Sequence, residues 1–450
     1  MKNILILGAG KSASTIISYL LSKSEEFDWQ ITVGDLNLDL AQQRVDGHAR
    51  GKAIAFNVKD ESQVAAEVSK ADIVASLLPA FFHNIVAKAC LENGAHLVTA
   101  SYVDAESKAM HEAFEKKNLL FMGEIGLDPG IDHLGLMKIL NELREKKAKI
   151  TGVHSHCGAL IHPEDDNNPW NYKFTWAPMN VVKAGQGVSM YLHNRETRYV
   201  PYNRLFSSYR ERNIGSLGDF EIYPNRDSAK YLEKYSLEDL DHFMRGTIRK
   251  KGYCDAWDAI VKLGLTDDSY QINTEGKSYA DLMKAFIPLK NQKGKNLKEA
   301  TAHFLNIAME DKVMNQLDYL ELFGDRKIEL TDGSPAAIMC NLLQDKWKMQ
   351  EGDRDMIVML HEVDYELNGE TRRVTANMTT FGEDEEKTAI SKTVGLPSGM
   401  MVKLIATDQV KLRGVRIPVY AEVYEPILKE LEEYGIVMHE SDEEFTGSVF

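Results

Sequence analysis

Ile4-Leu5-Ile6-Leu7-Gly8-Ala9-Gly10-Lys11-Ser12-Ala13 decides the fold. A short apolar run ends at two glycines and opens into a stretch with helical spacing. That is the strand–turn–helix start of a doubly wound parallel sheet. Gly8 and Gly10 permit a tight turn and a close approach of backbone to a pyrophosphate, with Lys11 and Ser12 at the helix N-terminus that would hold it. Ala13 keeps the small side chain that helix–strand packing needs. Outward from this turn, Ile31–Val33, Ala53–Val58, Ile73–Leu77, Leu97–Ala100 and Leu120–Met122 read as further strands. Ser12–Ser22, Ser62–Ser69, His83–Glu92 and Ala105–Lys117 carry helical spacing, and the link between the second and third strands is the least regular. Such alternation gives an α/β class with an N-terminal Rossmann sheet.

The octet Gly126–His133, GLDPGIDH, falls where the last strand of that sheet should end, the place where open α/β sheets carry their chemistry. Beyond it, Ile131–Lys147 has the spacing of an amphipathic helix and Ile150–His156 that of a strand, while the polar, proline-bearing His162–Trp170 reads as a loop. From about Asn203 to Asp345 the chain is charged and helical in pattern, an inserted helical domain by composition. Met356–Leu367 and Thr371–Phe381 flank Asn368-Gly369, a hairpin signal. Lys387–Val437 reads as two helices split by Arg413–Pro418, and the acidic residues from Glu440 onward as a frayed end.

The chain has 450 residues and a formal charge of −15, which argues against nucleic acid or anionic membrane as partner. Cys90, Cys157, Cys254 and Cys340 lie far apart, as in a reduced, cytoplasmic protein. The apolar N-terminus is too short for a signal peptide, and no stretch approaches the length of a membrane span. An acidic protein that takes an anionic small molecule must gather its cations locally, so clustered arginines are informative.

Asp35, just past the second strand, is placed to accept hydrogen bonds from a ribose and would repel a 2′-phosphate. No arginine follows before Arg44, which favours NAD over NADP. Asn57-Val58 and Leu78-Pro79 end the third and fourth strands and would line the dinucleotide. Ser101-Tyr102 and Asp128 end the fifth and sixth, and His154–Gly158 the next. These give four proton-transfer candidates, Tyr102, Asp128, His133 and Cys157. Asp132, His133, His154, His156 and Cys157 could also ligate a metal. Alternation along a strand, however, puts His154 and His156 on one face and Cys157 on the other, so no metal is expected. Arg226, Arg245 and Arg249 supply planar forks suited to carboxylates.

Together these pieces resemble the saccharopine dehydrogenase family of the glutamate-forming type. The resemblance rests on GAGKSAS, SLLPAFFHNIVAKAC, VTASY, GEIGLDPGIDH, the HCG around Cys157, PEDDNNPWNYKFTW, YPNRDS, RGTIRKKGY and KTVGLPSGMMVKLI. One departure is Ala159-Leu160-Ile161, where the family tends to have Gly-Leu-Pro. The resemblance implies three domains: a Rossmann domain (1–128 and 387–450), an α+β sheet domain used for dimerisation (129–202 and 346–386) and the helical insert (203–345). It implies an NAD(P)-dependent oxidoreductase of CH–NH donors, converting saccharopine and water reversibly to L-glutamate and α-aminoadipate semialdehyde. It carries substrate contacts onto Ser101, Tyr102, Asp128, Arg226, Arg245 and Thr247. Cofactor contacts fall on Gly10–Ala13, Asp35, the strand ends and Trp176, and acid–base roles on Tyr102, Asp128 and Cys157. A homodimer is the expected assembly. Two other readings use the same fold: a carboxyspermidine or carboxynorspermidine dehydrogenase, whose substrate bears amines, and a non-catalytic NAD-binding sensor.

Overall fold

The computed structural model describes residues 1–445. The described chain folds as two compact units, one of Met1–Thr151 with residues 359–445, the other of Gly152–Val358.

The first unit is built on β1 (Lys2–Leu7), β2 (Trp29–Asp35), β3 (Gly51–Ala55), β4 (Ile73–Ser76), β5 (His96–Val98) and β6 (Leu120–Met122). All pair in parallel, and the strand Gly414–Arg416 joins beside β6, giving the order (414–416)-β6-β5-β4-β1-β2-β3. The order in which the chain adds strands reverses between β1 and β4, the switch point where such folds bind dinucleotides. The connecting helices are α1 (Ser14–Lys23), α2 (Leu38–Val45), α3 (Glu61–Val68), α4 (His83–Asn93), α5 (Ala105–Ala109) and α6 (His111–Lys116), with α7 (Ile131–Glu145) after the octet. One core layer gathers Leu5, Leu7, Phe56, Val64, Val68, Val74, Val86, Leu97 and Phe121.

Four stretches of this unit differ from the sequence reading. The irregular link after β2 is helix α2, capped by Asn37, whose side chain accepts from Leu40 N at 3.2 Å. The helical stretch Ala105–Lys117 is two helices that meet at Met110. The split at Arg413–Pro418 carries the added strand, so the tail completes the sheet between the helices Ala389–Ala406 and Ala421–Glu433. The acidic end is also no frayed tail, because His439–Glu444 pairs antiparallel with the strand Glu370–Phe381. Cross-strand bonds to Arg372 and Tyr365 supply what apolar burial does not. The Asn368-Gly369 hairpin stands as read, with φ of +54° and +85° at the two turn residues.

Strand β7 (Lys149–Ile161) passes from the first unit into the second. There β8 (Val188–His193), β9 (Glu196–Pro201), β10 (Arg210–Asn213), β11 (Asp219–Pro224) and β12 (His242–Lys250) build a mixed sheet, β12 lying parallel to β7 and antiparallel to β11. The stretch read as helical from Asn203 is thus strand-rich to Lys250, because Phe220, Ile222, Phe243 and Ile248 are buried among its charges. Helices dominate only from Tyr253 to Lys346. Their core packs Trp170, Tyr172, Tyr253, Trp257 and Trp347 edge to face and stacked.

Candidate active site

The glycine turn follows from close approach. Gly8 has φ +100°, and a Cβ there would meet the Leu77 carbonyl oxygen at 3.1 Å. Gly10 is different, since a Cβ would meet nothing within 4 Å, leaving open space in front of the turn. Lys11–Ala13 form one 3-10 turn into α1, in which Ala13 N donates to the Gly10 carbonyl at 2.9 Å, and neither Gly10 nor Ala13 caps with a side chain. Lys11 and Ser12 are exposed, while Ala13 is buried. The residues fit an anionic pyrophosphate.

Asp35 ends β2 and is half-buried. Its Oδ2 accepts from Ala9 N at 2.8 Å and its Oδ1 from Asn37 N at 2.9 Å, so the carboxylate braces the glycine turn. Arg44, in the last turn of α2, comes back to the same place. Its Nε donates to the Ala9 carbonyl at 3.3 Å, and a terminal nitrogen lies 3.5 Å from Glu386. Lys11 Nζ donates to the Glu385 carbonyl at 3.2 Å. Two cations therefore flank the turn beside Asp35.

β3 stops at Ala55 and β4 at Ser76, so Asn57, Val58, Leu78 and Pro79 sit in the loops that follow and do not end strands. Asn57 is exposed and orders its turn by accepting from Lys59 N at 3.1 Å, whereas Val58 packs into the core with Val64. β5 likewise ends three residues before Ser101, and β6 six before Asp128.

The octet is held by its own backbone. Gly126 N donates to Pro129 O and Ile131 N to Gly126 O, each at 2.9 Å. The Asp128–Pro129 peptide is cis. Gly130 has φ +150°, where a Cβ would sit 1.9 Å from Gly126 O, so no other residue fits. Asp132, one of the acids considered as a ligand, instead accepts from Gly130 N at 2.6 Å. Tyr102 and Asp128 are half-buried and His133 wholly buried. Two residues that the sequence reading passed over brace this region. Glu124, with φ +57°, accepts from Val103 N at 3.1 Å and from His133 Nε2 at 3.0 Å. His83 reaches the Ser101 hydroxyl at 2.8 Å. Neither carries a local signal, as both act across loops distant in sequence.

In the second unit the parallel register sets Thr247 opposite Cys157 and Arg245 opposite Ser155. Cys157 is buried within the 13-residue β7 and does not end it. The Arg245 guanidinium lies 4.4 Å from the Tyr231 ring centre, a stacking that fixes a cation with little loss of freedom. Arg249, two alternations further on, is enclosed by Tyr172, Tyr223 and Tyr253. Arg226 and Trp176 are exposed.

A glycine turn on a parallel sheet, an open phosphate position at a helix start and cations beside it define an NAD(P)-dependent oxidoreductase. Residues 4–122 match the model of the saccharopine dehydrogenase NADP binding domain, and residues 126–436 that of the saccharopine dehydrogenase C-terminal domain. The chain belongs to the saccharopine dehydrogenase family. It is 30% identical to the Schizosaccharomyces pombe saccharopine dehydrogenase [NADP(+), L-glutamate-forming], over 99% of this chain and all of that one. It is 33% identical to the Arabidopsis thaliana alpha-aminoadipic semialdehyde synthase over 98% of its own length but spans only 45% of that longer protein. The apo saccharopine dehydrogenase (L-Glu forming) of Saccharomyces cerevisiae has the same fold, with a TM-score of 0.89 at 28% identity over 98% of this chain and all of that one.

Proposed function

We propose that this chain is a saccharopine dehydrogenase that converts saccharopine, NADP⁺ and water to L-glutamate, α-aminoadipate 6-semialdehyde, NADPH and a proton, reversibly. The carrying observation is the end-to-end similarity to fungal proteins named for that reaction, over 99% of this chain and 100% of the first of them. Among the described residues no helix is long and apolar enough to cross a membrane.

The preference shifts from NAD to NADP because α2 returns Arg44 to the glycine turn while Asp35 is engaged by backbone. In the linear sequence Arg44 stands nine residues past Asp35, and only the helix brings it back. Arg44 and Lys11 support a 2′-phosphate. Gly8, Gly10 and the α1 start would hold the pyrophosphate, which leaves the nicotinamide to the β4 and β5 loops.

When bound, the nicotinamide would supply the hydride acceptor for the ε-carbon of the aminoadipyl half of saccharopine, the carbon that becomes the aldehyde while the nitrogen stays with glutamate. The chain's own task is to manage protons. The secondary amine must lose one before oxidation. Water then adds to the imine carbon, and as the C–N bond breaks, a proton goes to nitrogen and another leaves oxygen. We assign these transfers to Tyr102, Asp128 and Cys157, a contribution typically of ~10²–10⁴-fold. Saccharopine bears three carboxylates, and Arg226 and Arg245 are the cations assigned to them, with Ser101 and Thr247 as neutral donors. The three-domain division, a homodimer and a cytoplasmic setting belong to the same reading. Cys90, Cys157, Cys254 and Cys340 are all buried, and their wide spacing along the chain supports a reducing compartment.

The test is the absorbance of reduced nicotinamide with purified protein, saccharopine and either NADP⁺ or NAD⁺. Turnover that prefers NADP⁺ is expected. Binding of NADPH with no turnover of saccharopine by either cofactor would overturn the assignment.

A further inference from the structure

At the carboxyl end of the dinucleotide sheet one imidazole gathers three hydroxyls. His83 opens α4 and is 5% exposed. Its Nδ1 lies 2.9 Å from Oγ of Ser76, the last residue of β4. Its Nε2 lies 2.8 Å from Ser101 Oγ and 3.1 Å from Thr99 Oγ1, both just past β5. Burial pulls the imidazole down to about 4, the nearby Asp104 charge opposing it only in part, so the ring is neutral under physiological conditions.

A neutral ring has one N–H to give and one lone pair to receive. With three hydroxyls around it, at least two hydroxyl protons are left without a place on the ring. Ser76 and Thr99 are 1% and 3% exposed, whereas Ser101 is half-buried, so Ser101 is where a surplus proton can leave the cluster. Assigning Ser76 as donor to Nδ1 puts the ring proton on Nε2, which donates to Ser101 Oγ at the shortest of the three distances. The Ser101 oxygen is then fixed and its own O–H is free to turn outward.

We propose that His83 is a positioning residue, which holds the Ser101 oxygen so that its O–H is a directed donor to a carboxylate oxygen of the amino-acid reactant. This rests on the saccharopine reading, in which the reactant carries three carboxylates and a fixed hydroxyl can meet one of them in a charge-assisted bond. His83 touches no reactant itself. Its effect runs through Ser101, and Ser76 holds the ring from behind.

The experiment is calorimetric titration of saccharopine into enzyme already carrying NADPH, where no turnover can occur. Ser101→Ala is expected to weaken saccharopine about tenfold. His83→Ala should weaken it by the same factor, and the double variant no further than either single one. His83→Gln, whose side-chain amide can reach Ser101 as Nε2 does, should recover most of the loss, and any change in NADPH affinity should be smaller than the change for saccharopine throughout. Losses that multiply in the double variant would overturn the proposal, as would a loss of NADPH affinity as large as that of saccharopine. If His83→Ala fails to fold, Ser76→Ala loosens the ring from its other side and should weaken saccharopine severalfold. No change there would overturn the inference equally. Wild-type enzyme that does not bind saccharopine would refute the assigned function, whereas saccharopine binding indifferent to His83 would refute this inference alone.

Discussion

His133 donates from Nε2 to a Glu124 carboxylate oxygen at 3.0 Å, and the two side chains are 0% and 1% exposed. The other Glu124 oxygen accepts from Val103 N. One buried carboxylate thus ties the segment that bears Ser101 and Tyr102 to the helix that follows the Asp128 turn. Glu124→Ala should lower unfolding stability by about 1.5–3 kcal/mol, the range for losing a buried hydrogen bond to a charged group. It should also reduce turnover more than cofactor affinity. Urea denaturation at neutral pH checks the first part, and an unchanged midpoint would remove Glu124 as the brace.

The cations at the glycine turn make a prediction about cofactor choice. Arg44→Ala should weaken NADPH about tenfold and leave NADH nearly untouched, because only the 2′-phosphate distinguishes them. Glu386 lies 3.5 Å from Arg44 and 3.9 Å from Lys11, where it competes with a phosphate, so Glu386→Gln should tighten NADPH. Fluorescence titration of both reduced cofactors decides. An equal loss of both in Arg44→Ala would mean that the arginine only supports the Ala9 carbonyl.

Arg245 sits on β12 with its guanidinium against Tyr231 and is 6% exposed. Arg245→Ala should raise the Michaelis constant for saccharopine by the equivalent of about 1.5–3 kcal/mol, and Arg226→Ala by less, since Arg226 is exposed. Unchanged kinetics in both would remove them from the substrate's surroundings.

How far the sequence could be read depended on whether an element is specified locally. The glycine turn, the octet and the Asn368-Gly369 hairpin each need a backbone conformation that few residues allow, so their letters announce them. Arg44 was legible in principle, since Asn37 as cap, Asp39 in the first turn and Arg44 in the last mark α2 as a helix that folds back. β11 and β12 were obscured because Glu221, Arg245 and Arg249 are buried charges inside strands, and charge reads as surface. Glu124 and His83 had no signal at all. Their partners lie 7 to 21 residues away, on strand ends and loops whose approach only the sheet defines.

The strand His439–Glu444 is the extreme case, with every residue exposed and no alternation to find. Its hold on the fold is polar: Tyr365 donates to Asp442 at 2.8 Å and Arg372 Nε donates to it at 3.0 Å. Asp442→Ala should therefore destabilise the protein by about 1 kcal/mol, the upper end for a partly exposed pair. Hydrogen exchange along Glu370–Phe381 should quicken with it. Unaltered protection there would mean that backbone pairing alone retains the strand.

Acid sensitivity follows from two histidines. His96 Nδ1 accepts from Leu120 N at 2.9 Å, a bond that a proton on that nitrogen would abolish. Burial, aided by the Arg413 and Lys2 charges, holds His96 down to about 4, and burial does the same to His83. Both are depressed below the value of about 6.5 expected in the unfolded chain. The neutral form is therefore the one that folding favours. The stability it contributes is complete above about pH 6.5 and is lost as pH falls toward 4. Each histidine steepens that decline by up to about 1.4 kcal/mol per pH unit. In His96→Asn the amide oxygen can still accept from Leu120 N but cannot be protonated in this range. The variant should be the less stable protein at pH 7.5 through imperfect packing, with the deficit shrinking or reversing by pH 4.5. Urea unfolding of both proteins at intervals across that window tests this directly, and a deficit that stays constant with pH would show that His96 is not the titrating group.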